Sequence, residues 1–167
     1  MRKVLITLLI TAFLVSAIGL AFGDEMAKEG SGSGIIYYTS TSQTLMIEKL
    51  AGVWNYEARG VSGTDDKTSP FYMASSKCVG SVKGEKGVFK EAGLCTMTRP
   101  DGDKIYMSYE GTAKMGEPMK GSTNLIGGTG KCLGITGNGE FTRVSLKGPA
   151  EGIMASISKS QLSWKIP

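Results

Sequence analysis

Few side chains in this sequence have the type and spacing needed for covalent or acid–base chemistry. The 167 residues include no histidine. That removes Ser-His-Asp and Cys-His triads and His-ligated zinc. Three cysteines are too few for a four-thiolate site, and Cys132 has no imidazole to lower its thiol pKa. Ser and Thr are plentiful, but none has an activating base beside it. The one weak candidate for catalysis is Glu91, which shares a strand phase with Cys95. A carboxylate on an apolar inner face could serve as a general acid or base. The plainer alternative places Glu91 near a strand end, at a rim, facing water. Glu57 and Arg59 lie on one face of a strand, a spacing that suits a surface or subunit contact. Asp101-Gly102-Asp103 lacks the further oxygen ligands of a calcium loop. No metal and no cofactor is expected.

The elements that must position these residues are strands. Arg2 and Lys3 precede an uncharged apolar run, Val4 to Phe22, and Ala21-Phe22-Gly23 offers small residues at a cleavage site. Residues 1–23 therefore read as a secretory signal peptide, and an exported product, periplasmic or secreted, is expected. Removing them takes two positive charges from a net +4. The near-neutral remainder gives no electrostatic reason to bind nucleic acid, or a membrane once the signal is cut. Residues 24–34, DEMAKEGSGSG, lack apolar periodicity and read as a flexible tail. Residues 35–167 read as one all-β domain. Its strands are expected at Ile35–Glu48, Val53–Val61, Phe71–Val82, Val88–Thr98, Lys104–Met115, Met119–Ile126, Glu140–Leu146 and Gly152–Trp164. Glycine turns at regular spacing and no long helical period point to an antiparallel sandwich or barrel.

Two hairpins can be read closely. Pro100 and Asp101 suit a type I turn, and Gly102 suits the left-handed position of a bulge. That geometry sets Met97 against Ile105, Cys95 against Met107 and Gly93 against Tyr109, all on one face; a slip of one residue would mix the faces. The preceding hairpin turns at Gly84–Gly87, with Cys78 and Cys95 on its two arms and on the same face. A Cys78–Cys95 disulfide would close a loop of about 17 residues, worth roughly 3 kcal/mol in the chain-entropy model. The alternative is three reduced thiols packed as small apolar groups. Trp54, Tyr56, Met97, Met107 and Tyr109 fall on the apolar phase and are the expected lining of the interior. Trp and Tyr pair apolar area with a polar tip, and Met gives adaptable walls. Such a lining either binds a small apolar ligand or simply fills a closed core.

The run Gly127-Gly128-Thr129-Gly130-Lys131-Cys132-Leu133-Gly134-Ile135-Thr136-Gly137-Asn138-Gly139-Glu140-Phe141 is the most distinctive. It is not a phosphate loop: Leu125 stands where the first glycine belongs, and Cys132 where Ser or Thr belongs. No βαβ unit surrounds it, so it is not a dinucleotide fingerprint. Gly127, Gly128, Gly130, Gly134 and Gly137 read as a structural corner between strands.

This corner resembles that of the barrel family of plant allene oxide cyclases and dirigent proteins. Leu125 to Gly130 matches the family's "I-x-GGTG" pattern, with Cys132 near a position commonly held by Phe or Tyr. The order Cys78-Val79-Gly80, Cys95, Asp101-Gly102-Asp103 and Gly127–Phe141 is similar to that of small secreted bacterial proteins of unassigned function. The resemblance implies a barrel of about eight antiparallel strands with a lined interior, and often a trimer. No motif here aligns with the plant enzymes' catalytic residues. Three functions follow as expectations: a non-enzymatic barrel binding a small apolar ligand or a protein partner, a cyclase or isomerase of a hydrophobic substrate, and a structural envelope protein. An open cavity holding Glu91 would favour the enzyme, and a purely apolar one the carrier.

Overall fold

The computed structural model describes residues 25–48 and 51–167. The expected signal peptide lies outside them. The strands are β1 (Glu29–Ile47), β2 (Ala51–Ser62), β3 (Ser75–Glu85), β4 (Val88–Thr98), β5 (Lys104–Lys114), β6 (Met119–Gly128), β7 (Thr136–Leu146) and β8 (Met154–Lys165). A short 3-10 turn, Gly130–Cys132, joins β6 to β7. Each strand pairs antiparallel with its sequence neighbour, and β1 pairs with β8 to close the barrel. Closure leaves no sheet edge to recruit other chains.

The fold class and both hairpins agree with the sequence. Met97 stands opposite Ile105, Cys95 opposite Met107 and Gly93 opposite Tyr109. Gly102 has φ +90°, and the Arg99 amide donates to the Asp103 carbonyl at 2.9 Å. Cys78 faces Cys95 across β3 and β4, and the two are joined by a disulfide. Cys132 is free and buried.

Two expectations need correction. The tail assigned to residues 24–34 is strand from Glu29 onward, paired with β8 from Ser160 to Lys165. Its glycines are the counterpart of a large side chain: a Cβ on Gly30 would lie 2.8 Å from the Trp164 indole. A composition typical of linkers is here the space Trp164 needs. The strand expected from Phe71 begins instead at Ser75. Residues 63–74 form a loop across one end of the barrel, where Phe71 packs edge-on against Trp164 with ring centroids 5.8 Å apart. The Arg99 guanidinium ties this loop down by donating to the Pro70 carbonyl at 2.7 Å.

The glycine corner and the Asp-Gly-Asp hairpin, separate motifs in the sequence, meet at this same covered end. Gly130 has φ +53°, and any Cβ there would run into the Asp103 carboxylate. The Lys131 amide donates to Asp103 at 2.8 Å, and the Lys131 ammonium lies 3.1 Å from Asp101. Beneath them Met97, Ile105, Ile135 and Cys132 are almost wholly buried.

Candidate functional site

The interior is not filled. A cavity of about 800 Å³ runs through the barrel, lined by Trp54, Tyr56, Met97, Met107 and Tyr109 as expected, together with the Cys78–Cys95 bridge. It reaches the surface among the exposed turn residues Lys114–Pro118 and at Ser145 and Met154, and the exposed Gly32, Ser33 and Asp66 line it at the opposite end. At the covered end its lining includes Thr64, Asp66 and Ser69 of the β2–β3 loop. The walls differ in character. β3, β4 and β5 present Val82, the disulfide and the methionines, whereas β8 mixes Ser156, Ser158 and Ser160 with Leu162 and Trp164.

Glycines on the inward phase make room for a polar cluster in this cavity. Gly80 and Gly93 stand opposite each other on β3 and β4. A Cβ on Gly80 would lie 2.8 Å from the Tyr56 hydroxyl, and one on Gly93 would collide with the Tyr109 ring. The two tyrosines, from β2 and β5, reach across this gap, and their hydroxyl oxygens are 2.5 Å apart. Tyr56 also donates to Glu91, and Glu91 pairs with Arg143 of β7. Phe141 stands edge-on to Tyr109 with ring centroids 6.4 Å apart, and the Arg143 guanidinium sits 5.8 Å from the Phe141 ring centre.

Glu91 therefore does not sit at a wet rim. It is 4% exposed. It is the fourth residue of β4, but β3 and β5 run beside it to Glu85 and Lys114, and Arg143 reaches it from β7. Nor is it an isolated carboxylate in an apolar wall, which the acid–base reading requires. Its partners are a guanidinium and a phenol.

Burial pushes the Tyr109 hydroxyl up to about 12. Burial, and then the charge of Glu91, raise that of Tyr56 further still. Burial alone would lower Arg143, but Glu91 and Tyr56 together offset this and hold the guanidinium above its ordinary value. Tyr38 is raised chiefly by burial, and its hydroxyl is 3.4 Å from Ser76. At neutral pH the phenols are protonated and Arg143 is charged.

Sequence reasoning found every member of the cluster except Arg143. The missing signal was phase: Phe141 faces inward, so the residue two further along the same strand faces inward too. Glu57 and Arg59 form the surface contact expected of them, 2.9 Å apart, with Lys77 joining Glu57 at 3.1 Å. Among the described residues no cluster of His, Cys, Asp and Glu could hold a metal ion.

No family model matches the chain, and no curated protein does. A solved structure does. The pterocarpan synthase dirigent protein GePTS1 superposes with a TM-score of 0.53 over 89% of this chain and all of that one, at 12% sequence identity. This barrel has the dirigent fold. At that identity the likeness is one of architecture, and the site must be argued from its own residues. The disulfide is compatible with export, because such bonds persist in oxidising compartments.

Proposed function

We propose that this protein is an exported, non-enzymatic barrel that holds a small, mostly apolar molecule in its interior and orients it against the Glu91–Arg143–Tyr56–Tyr109 cluster. The observation that carries this reading is the cavity. At about 800 Å³ it falls within the range of ligand pockets, and it joins apolar walls to one convergent polar group. The dirigent architecture supports a binding or guiding role.

A cyclase or isomerase is the second reading, favoured by a buried carboxylate in an open cavity. It ranks below because a proton donor works best with a pKa near the working pH. The phenols here are held far above neutrality, and both Glu91 oxygens are already engaged.

Native mass spectrometry of protein isolated from an oxidising compartment tests the proposal. The expected result is a retained mass that is lost on denaturation, or, for emptied protein, one-to-one uptake of the apolar fluorophore N-phenyl-1-naphthylamine. Ser156→Phe, which intrudes on the cavity, is expected to abolish that uptake. Apo protein that takes up no fluorophore would overturn the reading, and turnover of a hydrophobic epoxide would replace it with the enzyme.

A further inference from the structure

The cluster has a direction that follows from counting its protons. Tyr56 has one hydroxyl proton, and it goes to Glu91 Oε1. The short contact between the two hydroxyls then requires Tyr109 to donate to Tyr56. Arg143 Nη2 takes the second Glu91 oxygen. The Glu91 side chain is only 1% exposed, so its oxygens are closed to anything in the cavity. Arg143 is different. A guanidinium has five N–H donors, and this one keeps 19% of its side-chain surface while lining the cavity. None of its nitrogens is sealed off without a partner. The largest unused hydrogen-bonding capacity the cluster offers an incoming molecule is therefore the N–H donors of Arg143, with their charge balanced by Glu91.

We propose that this cluster receives an uncharged hydrogen-bond acceptor, a ketone or aldehyde carbonyl on an otherwise apolar molecule, seated on the spare N–H groups of Arg143. The proposal rests on the reading that the interior binds ligands, and it names the chemistry of that site. A carboxylate would lose water on entry and meet Glu91 as well as Arg143 in a low-dielectric setting. A hydroxyl could accept from Arg143 as well, but with both Glu91 oxygens taken its proton has no carboxylate to meet, so it gains less there than a carbonyl with two lone pairs. Ser158, directly across from Arg143 on β8, adds a hydroxyl that can turn to suit the same acceptor.

A matched series of naphthalenes tests this by displacement of N-phenyl-1-naphthylamine. 2-Acetylnaphthalene is expected to bind about tenfold more tightly than 2-ethylnaphthalene, the worth of one hydrogen bond to a charged donor. 2-Naphthoate is expected to bind more weakly than either. Glu91→Gln leaves Arg143 uncompensated and should reverse the order, making naphthoate the best ligand. The double variant Arg143→Met/Glu91→Gln removes both charges together, avoids a lone buried carboxylate, and should level ketone and hydrocarbon while keeping the hydrocarbon's affinity. The carbonyl stretch of bound 2-acetylnaphthalene should move to lower wavenumber in the native protein and not in the double variant. Equal binding of ketone and hydrocarbon to the native protein, or tightest binding of naphthoate, would overturn the carbonyl assignment while leaving the cavity reading intact. Failure of the fluorophore and of every naphthalene to bind would instead bring down the cavity reading and the assignment with it.

Discussion

The two ends of the barrel are built from the same strands to opposite purposes. At the covered end, the β2–β3 loop, the Asp-Gly-Asp hairpin and the glycine corner lock together through Arg99, Asp101, Asp103 and Lys131. Ile105, Ile135 and Cys132 beneath them are 0% exposed. At the turn end tight turns join β3 to β4 and β5 to β6, the cavity reaches the surface, and Met46, Met115, Leu146 and Met154 stand exposed. Packing that stabilises the fold is concentrated at one end, and the exposed turn residues Lys114–Pro118 line the cavity at the other.

This contrast can be broken by substitution. Ile105→Ala at the covered end should cost about 4 kcal/mol, because the cavity it leaves cannot collapse onto the locked loops. Urea unfolding would measure it, and a cost below about 1 kcal/mol would mean the covered end is not the packed one. The paired change Cys78→Ala/Cys95→Ala should cost about 3 kcal/mol, as expected for a bridge closing 17 residues. Reduction of the native protein should lower the unfolding midpoint by a matching amount, and no change on reduction would remove the disulfide from the stability argument.

The next effect sharpens the picture midway between the ends. Tyr109 has a folded-state pKa raised from 10.0 to about 12, so its contribution is complete below pH 10 and is lost as pH rises towards 12. Tyr56 behaves in the same sense at still higher pH. Phenolate absorbance should show these two ionising only well above pH 10, with the urea midpoint falling across that window. Ionisation of all tyrosines together near pH 10 would mean the cluster is wet. The smallest effect belongs to the turn end. Met115→Ser, at a residue 73% exposed, should change stability by less than about 0.5 kcal/mol. A cost comparable to Ile105→Ala would erase the distinction between the ends.

How much of this was legible in the sequence depended on whether local chemistry or tertiary space decided the outcome. The β4–β5 register could be read because turn residues and apolar phase agreed at Pro100-Asp101-Gly102. From that register, with the inward phase of β2 and β3, came the disulfide and the lining residues. Glu29–Gly34 could not be read as strand, since glycine and serine carry no pattern and their role exists only opposite Trp164. The cavity was illegible for a similar reason. Its volume is set by what is missing at Gly80, Gly93 and Gly111 and by how far Tyr56 and Tyr109 reach into that gap. Glu91 was placed on the correct phase, but its burial depends on Arg143 three strands away.

One feature of the closed meander bears on how the chain becomes a barrel. Seven of its pairings join neighbours in sequence, and one, between β1 and β8, does not. That seam carries the Trp164 indole bond to the Ala27 carbonyl, spanning 137 residues. Pairings between neighbours need only short chain closures, whereas the seam must wait for nearly the whole chain to be in place. It should therefore be the last ladder to form and the first to open. Amides of Ile35–Ser40 and Met154–Ser158 would then exchange with solvent ahead of those in the β4–β5 hairpin, and a molecule too large for the turn end would find its way in along the staves' single late joint.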